Sequence, residues 1–211
     1  MEEKKRTELK IISMADVQEE EVEWLLYPLI PFGKVTIIQG DPGEGKTTLA
    51  LQVIAKLTRG EAVLPFDEPG VGIESKEEAE SDRQPMNVLY QTAEDGLGDT
   101  IKPRLNAAGA DCSRVLVIDD KEKALTMMDS RLEEAIIETG ARLVVLDPIQ
   151  GYLGADVDMH RANEIRPVMK RISTLAEKYR CAIVLIGHMN KASGGKSSYR
   201  GLGSIDFQAA A

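Results

Sequence analysis

One glycine-rich stretch constrains the fold of this chain more than any other. It fits the pattern G-x-x-x-x-G-K-[ST] without a mismatch and reads Gly40, Asp41, Pro42, Gly43, Glu44, Gly45, Lys46, Thr47. Glycine allows consecutive backbone N–H groups to curl around a polyphosphate, and a helix that follows adds the positive end of its dipole. The stretch therefore predicts a phosphate-binding loop between a strand and a helix.

The segments on either side of the loop have the character that such a loop requires. Residues 34–39 form a β-branched run that predicts a buried strand. After the loop, apolar residues recur at helical spacing: Leu49, Ala50, Val53, Ile54 and Leu57. We therefore expect Lys46 to reach the β- and γ-phosphates of a nucleotide, and the Thr47 hydroxyl to complete the coordination of Mg²⁺.

The rest of the chain alternates apolar strand-like runs with helical segments. The runs cover residues 87–92, 115–118, 143–146 and 181–186. Helices are predicted at about 97–108, at 129–139 and around 165–179. This alternation predicts an α/β fold, a mostly parallel β-sheet with helices on both faces. We expect an N-terminal arm at 1–32, one domain at 33–211 and a flexible acidic insertion around 60–85.

Charge and composition argue against some classes of protein. The 211 residues carry a net charge of −9, which disfavours a protein with an extensive basic surface for duplex DNA. This net charge is still compatible with a local basic channel that binds a single strand. No apolar run approaches the ~20 residues that cross a bilayer, and the charged N-terminus does not resemble a signal peptide. Cys112 and Cys181 lack metal-ligand spacing. We expect a cytoplasmic protein with reduced cysteines and no membrane partner.

Polar side chains follow the predicted strands at the point where each strand ends, which is where parallel sheets bind ligands. Asp147 is the expected carboxylate of a magnesium shell, with a turn or helix cap as the alternative. Glu94 is the expected base or water-positioning group, and Asp95 or a capping role is its rival. His188 is interpreted as a donor that senses the γ-phosphate, with a structural histidine as the alternative. His160 lies in a polar loop without a second histidine or cysteine, so a metal cluster is disfavoured there.

A basic loop follows His188 and differs in composition from the acidic remainder of the chain. Residues 189–204 are rich in glycine and serine and contain no acid. We predict that Lys191, Lys196 and Arg200 contact a phosphodiester backbone and that Tyr199 stacks on a base. The alternative is a surface loop whose charge is incidental.

Taken together, these residues resemble the RecA-like ATPase core among the AAA-type ATPases, and most closely the branch of DnaB-type replicative helicases and plasmid RepA-type hexameric helicases. The resemblance covers about residues 30–211. The segment 199–206, Tyr-Arg-Gly-Leu-Gly-Ser-Ile-Asp, is similar to the segment that follows the DNA-contacting loop in those helicases.

The resemblance implies a role for each matching position. The phosphate-binding loop together with Thr48 would bind ATP, Glu94 would polarise the attacking water, Asp147 would hold Mg²⁺ through water, and His188 would sense the γ-phosphate. Residues 151–163 and 191–203 would be the two DNA-facing loops. The family works as hexameric rings in which a neighbour supplies an arginine finger, and further strands usually follow the point where this chain stops, so we expect a longer natural protein.

Three functions are compatible with these residues. The first is the ATP-hydrolysing motor core of a helicase that acts on single-stranded DNA in replication of a chromosome or mobile element. The second is a RecA- or KaiC-like protein that uses nucleotide to switch oligomer contacts. A small-molecule P-loop kinase is weaker because no arginine-rich lid follows the central strands.

Overall fold

The computed structural model describes residues 9–63, 83–155, 157–159 and 161–188. The strands are β1 (Trp24–Leu26), β2 (Ile30–Pro31), β3 (Val35–Gly40), β4 (Val88–Thr92), β5 (Val115–Leu116), β6 (Leu143–Asp147) and β7 (Ala182–His188). The α-helices are α1 (Lys46–Thr58), α2 (Lys102–Ala107), α3 (Ser130–Thr139) and α4 (Ala162–Tyr179). A π-helix (Leu97–Ile101) precedes α2, and short 3₁₀ turns include Ile149–Tyr152 after β6.

Five of the strands form one sheet in the order β3-β7-β6-β4-β5, and every neighbouring pair is parallel. The predicted α/β class with a parallel sheet is therefore confirmed. Because all the strands run the same way, their carboxyl ends share one edge. Gly40 is paired with His188 and Thr92 with Asp147 at that edge.

Helices cover both faces of this sheet, as the alternating pattern predicts. On one face α3 and α4 pack against strand residues such as Val144 and Leu146. On the other face α1 and α2 pack against Tyr90 and Val145. Successive residues of a strand point to opposite faces, so each central strand contributes apolar side chains to both cores. The fold thus buries the sheet and leaves its carboxyl edge for polar side chains.

Two elements differ from their predicted extent in a way that the residues explain. The helix predicted at about 97–108 begins as a π-helix, in which Ile101 N donates to Gly96 O, and becomes α-helical only at Lys102. Pro103 fits this division, since proline is favoured in the first turn of an α-helix, where its missing N–H leaves no hydrogen bond unmade. β5 ends at Leu116, and beyond it the Gln91 side chain, not a strand, contacts the carbonyl of Ile118.

The segment before the phosphate-binding loop packs on the α1 side of the sheet. β1 and β2 form a small antiparallel pair, and Leu25, Leu26 and Ile30 are buried in the same core as α1. Trp24 lies edge-to-face with Tyr27, at 5.3 Å between ring centroids. In the described ranges, none of the helices has the length and apolar character that a bilayer span requires.

Candidate nucleotide-binding site

The loop between β3 and α1 has the backbone that the glycines predict. Gly43 and Gly45 have φ angles of 85° and 82°, in the left-handed region that disfavours side chains. Gly45 is also the N-cap residue of α1, and its carbonyl accepts a hydrogen bond from the N–H of Leu49. The first N–H groups of α1 have no partner within the helix, so they are directed at the space enclosed by the loop.

Lys46 is buried, with only 9% of its surface exposed. Its Nζ donates to the carbonyl oxygens of Gly40 at 2.9 Å and Asp41 at 2.8 Å. A buried ammonium requires such acceptors because desolvation otherwise opposes its charge. The loop therefore already holds the ammonium group at its centre, where phosphate oxygens can replace the two carbonyls.

An acceptor from the chain itself lies inside the loop. The N–H of Asp41 donates to Glu44 Oε2 at 2.8 Å. That carboxylate oxygen lies where a Cβ at Gly40 would stand, so a side chain at position 40 would displace it. A backbone N–H of the loop thus donates to an anionic oxygen, as expected of a phosphate-binding loop.

The carboxylate of Asp147 connects β6 to the loop. It is buried, at 5% exposure, and its Oδ2 accepts a hydrogen bond of 2.6 Å from Thr47 Oγ1 and one of 3.1 Å from the Tyr90 hydroxyl. Burial, followed by the charge of Asp147, raises the pKa of Tyr90 well above its usual range, so the hydroxyl remains a donor. The two residues predicted to coordinate magnesium are therefore in direct contact.

Tyr90 is a site residue that sequence reasoning missed. It lies within an apolar strand run, and its aromatic ring accounts for its burial. The available signal was its hydroxyl, since a buried tyrosine usually has a hydrogen-bond partner. That partner could be identified only once β4 and β6 were known to be neighbours.

Glu94 and His188 meet at the same edge. His188 Nε2 lies 3.4 Å from Glu94 Oε2, and the buried His188 Nδ1 has no hydrogen-bond partner within the part of the chain that the structure describes. The Glu94 side chain is 63% exposed, so water can reach it. The rival Asp95 instead pairs with Arg104 at 3.3 Å. The structure thus brings Glu94 and His188 together, while their catalytic roles stay predictions.

Some predicted site residues fall outside the described residues. They are the predicted nucleic-acid contacts Lys191, Lys196, Tyr199 and Arg200, and His160, for which no site was predicted, also lies outside. Within the part of the chain that the structure describes, no group of three or more histidine, cysteine, aspartate or glutamate side chains could bind a metal ion by itself. A metal bound at this edge by the described residues would therefore need other ligands as well, such as the Thr47 hydroxyl beside Asp147 and oxygens of a bound ligand.

The parallel sheet, with a glycine loop between β3 and α1 and an aspartate at the end of β6, defines a P-loop nucleoside-triphosphatase fold. Residues 2–194 match the family model of the AAA domain, so the chain belongs to the AAA domain family. Membership of this family implies a nucleotide-binding ATPase domain. No curated protein matches the chain.

Proposed function

We propose that this chain is the ATP-hydrolysing motor core of a helicase that acts on single-stranded DNA, in replication of a chromosome or mobile element. The hydrogen bond between Thr47 and Asp147 carries the nucleotide part of the proposal, because it joins the phosphate-binding loop to the strand end that supplies a carboxylate. The basic loop 191–204 and its similarity to helicase sequence support the DNA part.

The donor set at this edge fits Mg²⁺. A threonine hydroxyl and a carboxylate are hard oxygen ligands of the type that magnesium prefers, and the ion usually retains several waters and phosphate oxygens. When bound, Mg²⁺ neutralises charge that develops on the phosphate oxygens. Thr47 and Asp147 would hold it, the hydroxyl directly and the carboxylate through water.

The chain's own residues then divide the work. Lys46 exchanges the carbonyls of Gly40 and Asp41 for phosphate oxygens and so stabilises negative charge during the transfer. Glu94 orients the attacking water and accepts its proton. Its side chain is exposed, so water can reach the carboxylate. His188 contacts Glu94 through Nε2, so a change at the γ-phosphate can reach the β7 end and the DNA loop that follows it.

The test is ATP hydrolysis by the purified chain with and without single-stranded DNA. Stimulation by DNA is expected. If Lys191, Lys196 and Arg200 each neutralise a phosphate, the logarithm of DNA affinity should fall against the logarithm of salt concentration with a slope of about −2 per subunit. A salt slope near zero would exclude the basic loop as the DNA contact, and turnover unaffected by DNA would argue against a motor.

A RecA- or KaiC-like assembly protein is the second candidate, and one observation favours it. The segment ahead of β1 exposes large apolar side chains, among them Leu9 and Ile11 at 85% and Met14 at 80%. Such side chains suit a contact with another protein chain. Nucleotide-dependent change in oligomer mass, measured by light scattering and unaffected by DNA, would support this candidate over the helicase.

A further inference from the structure

The buried hydroxyl of Tyr90 contacts the same carboxylate oxygen that Thr47 contacts. From this shared contact we propose that Tyr90 is a positioning residue, which keeps the Asp147 carboxylate oriented for the divalent metal after the Thr47 hydroxyl has turned toward that metal. The inference rests on the proposed nucleotide-binding function and extends it to a residue outside the phosphate-binding loop.

Strand register explains why Tyr90 is placed to do this. Tyr90 is paired with Val145 across β4 and β6, and Thr92 with Asp147. Tyr90 and Asp147 are therefore diagonal neighbours on the same face of the sheet, because residues two apart in a strand share a face. That face is covered by α1, which begins at Lys46 and brings Thr47 to the same carboxylate.

The two hydroxyls differ in how free they are to move. Thr47 lies in the first turn of α1 beside the loop, where metal and phosphate are expected. Tyr90 is fully buried within the α1-side core, so its ring is fixed by packing. When Thr47 leaves Asp147, the Tyr90 hydroxyl remains as a donor to Oδ2 and preserves the present orientation of the carboxylate.

Hydrogen-bond partners of this kind have a measurable effect in metal sites. Removing a group that orients a metal ligand typically weakens metal affinity by roughly 10- to 100-fold. The Tyr90 bond goes to an anionic acceptor, which makes it stronger than a bond between neutral groups. We therefore expect Tyr90→Phe to weaken metal affinity by at least about tenfold, the lower end of that range.

The chain supplies a matched control in Tyr152. This side chain is also buried, at 1% exposure, but among the described residues its hydroxyl has no hydrogen-bond partner. Tyr152→Phe removes the same atom from a similar environment without removing a bond. Any effect specific to Tyr90→Phe then reports the contact with Asp147 and not the loss of a buried hydroxyl in general.

The experiment measures dissociation constants of a fluorescent adenosine nucleotide in excess EDTA and in excess MgCl₂, for the wild type and for the Tyr90→Phe, Tyr152→Phe and Asp147→Asn variants. Magnesium should tighten nucleotide binding by the wild type, which is seen as a lower dissociation constant in MgCl₂ than in EDTA. In Tyr90→Phe this tightening should be about tenfold smaller. Affinity in EDTA should be unchanged, since Lys46 and the loop are intact. Tyr152→Phe should match the wild type, and Asp147→Asn should lose most of the tightening.

Two results overturn the inference. If the wild type binds nucleotide and Tyr90→Phe retains the full effect of magnesium, Tyr90 has no positioning role, although the proposed function stands. If the wild type binds no nucleotide in either buffer, the proposed function fails as well. Should Tyr90→Phe not fold, as judged by thermal unfolding, 3-fluorotyrosine placed at position 90 supplies a stronger donor. It should increase the magnesium effect, and no change would again overturn the inference.

Discussion

Thr47 Oγ1 lies 2.6 Å from Asp147 Oδ2, although the two residues are 100 positions apart in the chain. Thr47 lies in the first turn of the helix after the phosphate-binding loop, whereas Asp147 ends β6, which is separated from β3 by β7. The contact can form because parallel strands deliver their carboxyl ends to one edge and α1 crosses the face above them. It places the hydroxyl and the carboxylate where a single ion can bind both.

Lys46→Ala should abolish both nucleotide binding and turnover. The ammonium group is held by two carbonyls of the loop, at a position from which phosphate oxygens can replace them, and alanine supplies no charge there. Affinity measured with a fluorescent nucleotide should fall by about 100-fold or more, since truncating one partner of a buried, hydrogen-bonded charge pair costs roughly 2–5 kcal/mol of binding free energy. Lys34→Ala, an exposed residue ahead of β3, is the matched control and should bind normally. Tight binding by the Lys46 variant would contradict the assignment.

Glu94→Gln should retain nucleotide binding and lose turnover. The substitution keeps the size of the side chain but removes its ability to accept a proton, which is expected to slow hydrolysis by about 10²- to 10⁴-fold. Asp95→Asn is the control, because Asp95 pairs with Arg104 and its loss should alter stability more than hydrolysis. Single-turnover hydrolysis separates the two carboxylates. Activity in Glu94→Gln together with inactivity in Asp95→Asn would show that Asp95 is the functional group.

The sequence was sufficient for the parts of the site that depend on local structure. The glycine pattern specifies a backbone, and Gly43 and Gly45 adopt the left-handed conformations that it requires. Asp129 and Gly140 likewise cap the two ends of α3, which agrees with the helix predicted at 129–139 to within one residue. A cap or a tight loop involves residues that are close in sequence, so residue type alone carries the information.

Contacts that depend on strand order could not be predicted in the same way. Nothing in the residues of β4 indicates that it lies next to β6, and so the hydrogen bond from Tyr90 to Asp147 could not be predicted. The meeting of Glu94 and His188 was expected from their positions at strand ends, but their direct contact depends on how far each side chain extends. Strand ends can be located from sequence, whereas side-chain partners require the register.

The two cysteines should react with thiol reagents at very different rates. Cys181 is fully buried, and burial raises its pKa to about 11, so only about 10⁻³ of it is thiolate at pH 8. Cys112 is partly exposed, and its Sγ donates to Asn106 Oδ1 at 3.4 Å. Iodoacetamide labelling followed by mass spectrometry should modify Cys112 quickly and Cys181 only upon unfolding. The Cys112→Ser variant should show no fast phase, and equal rates in the wild type would mean that Cys181 is accessible.

Asp129 should make the stability of the domain depend on pH in the acid range. Its carboxylate caps α3 by accepting from Arg131 N at 3.0 Å, and the Arg131 guanidinium donates to both of its oxygens, at 3.2 and 2.9 Å. These hydrogen bonds from the Arg131 side chain, followed by that from its backbone, hold the pKa of Asp129 well below its usual range.

A folded-state pKa below the unfolded value of about 3.9 stabilises the protein above that pH, and the stabilisation disappears as the pH falls toward the folded-state pKa. The Asp129→Asn variant retains a capping oxygen but lacks the charge. We expect the wild type to exceed it in free energy of unfolding by ~1 kcal/mol from about pH 5 upward, the upper range for an ion pair at a protein surface. In urea titrations the difference should narrow below about pH 4, where the wild-type carboxylate begins to bind a proton in the unfolded state. A difference that stays constant down to pH 2.5 would mean that the charge of Asp129 does not contribute. Arg131→Gln removes the other half of the ion pair. Because the guanidinium lowers the pKa of Asp129, the difference in free energy of unfolding between the wild type and this variant should also narrow below about pH 4.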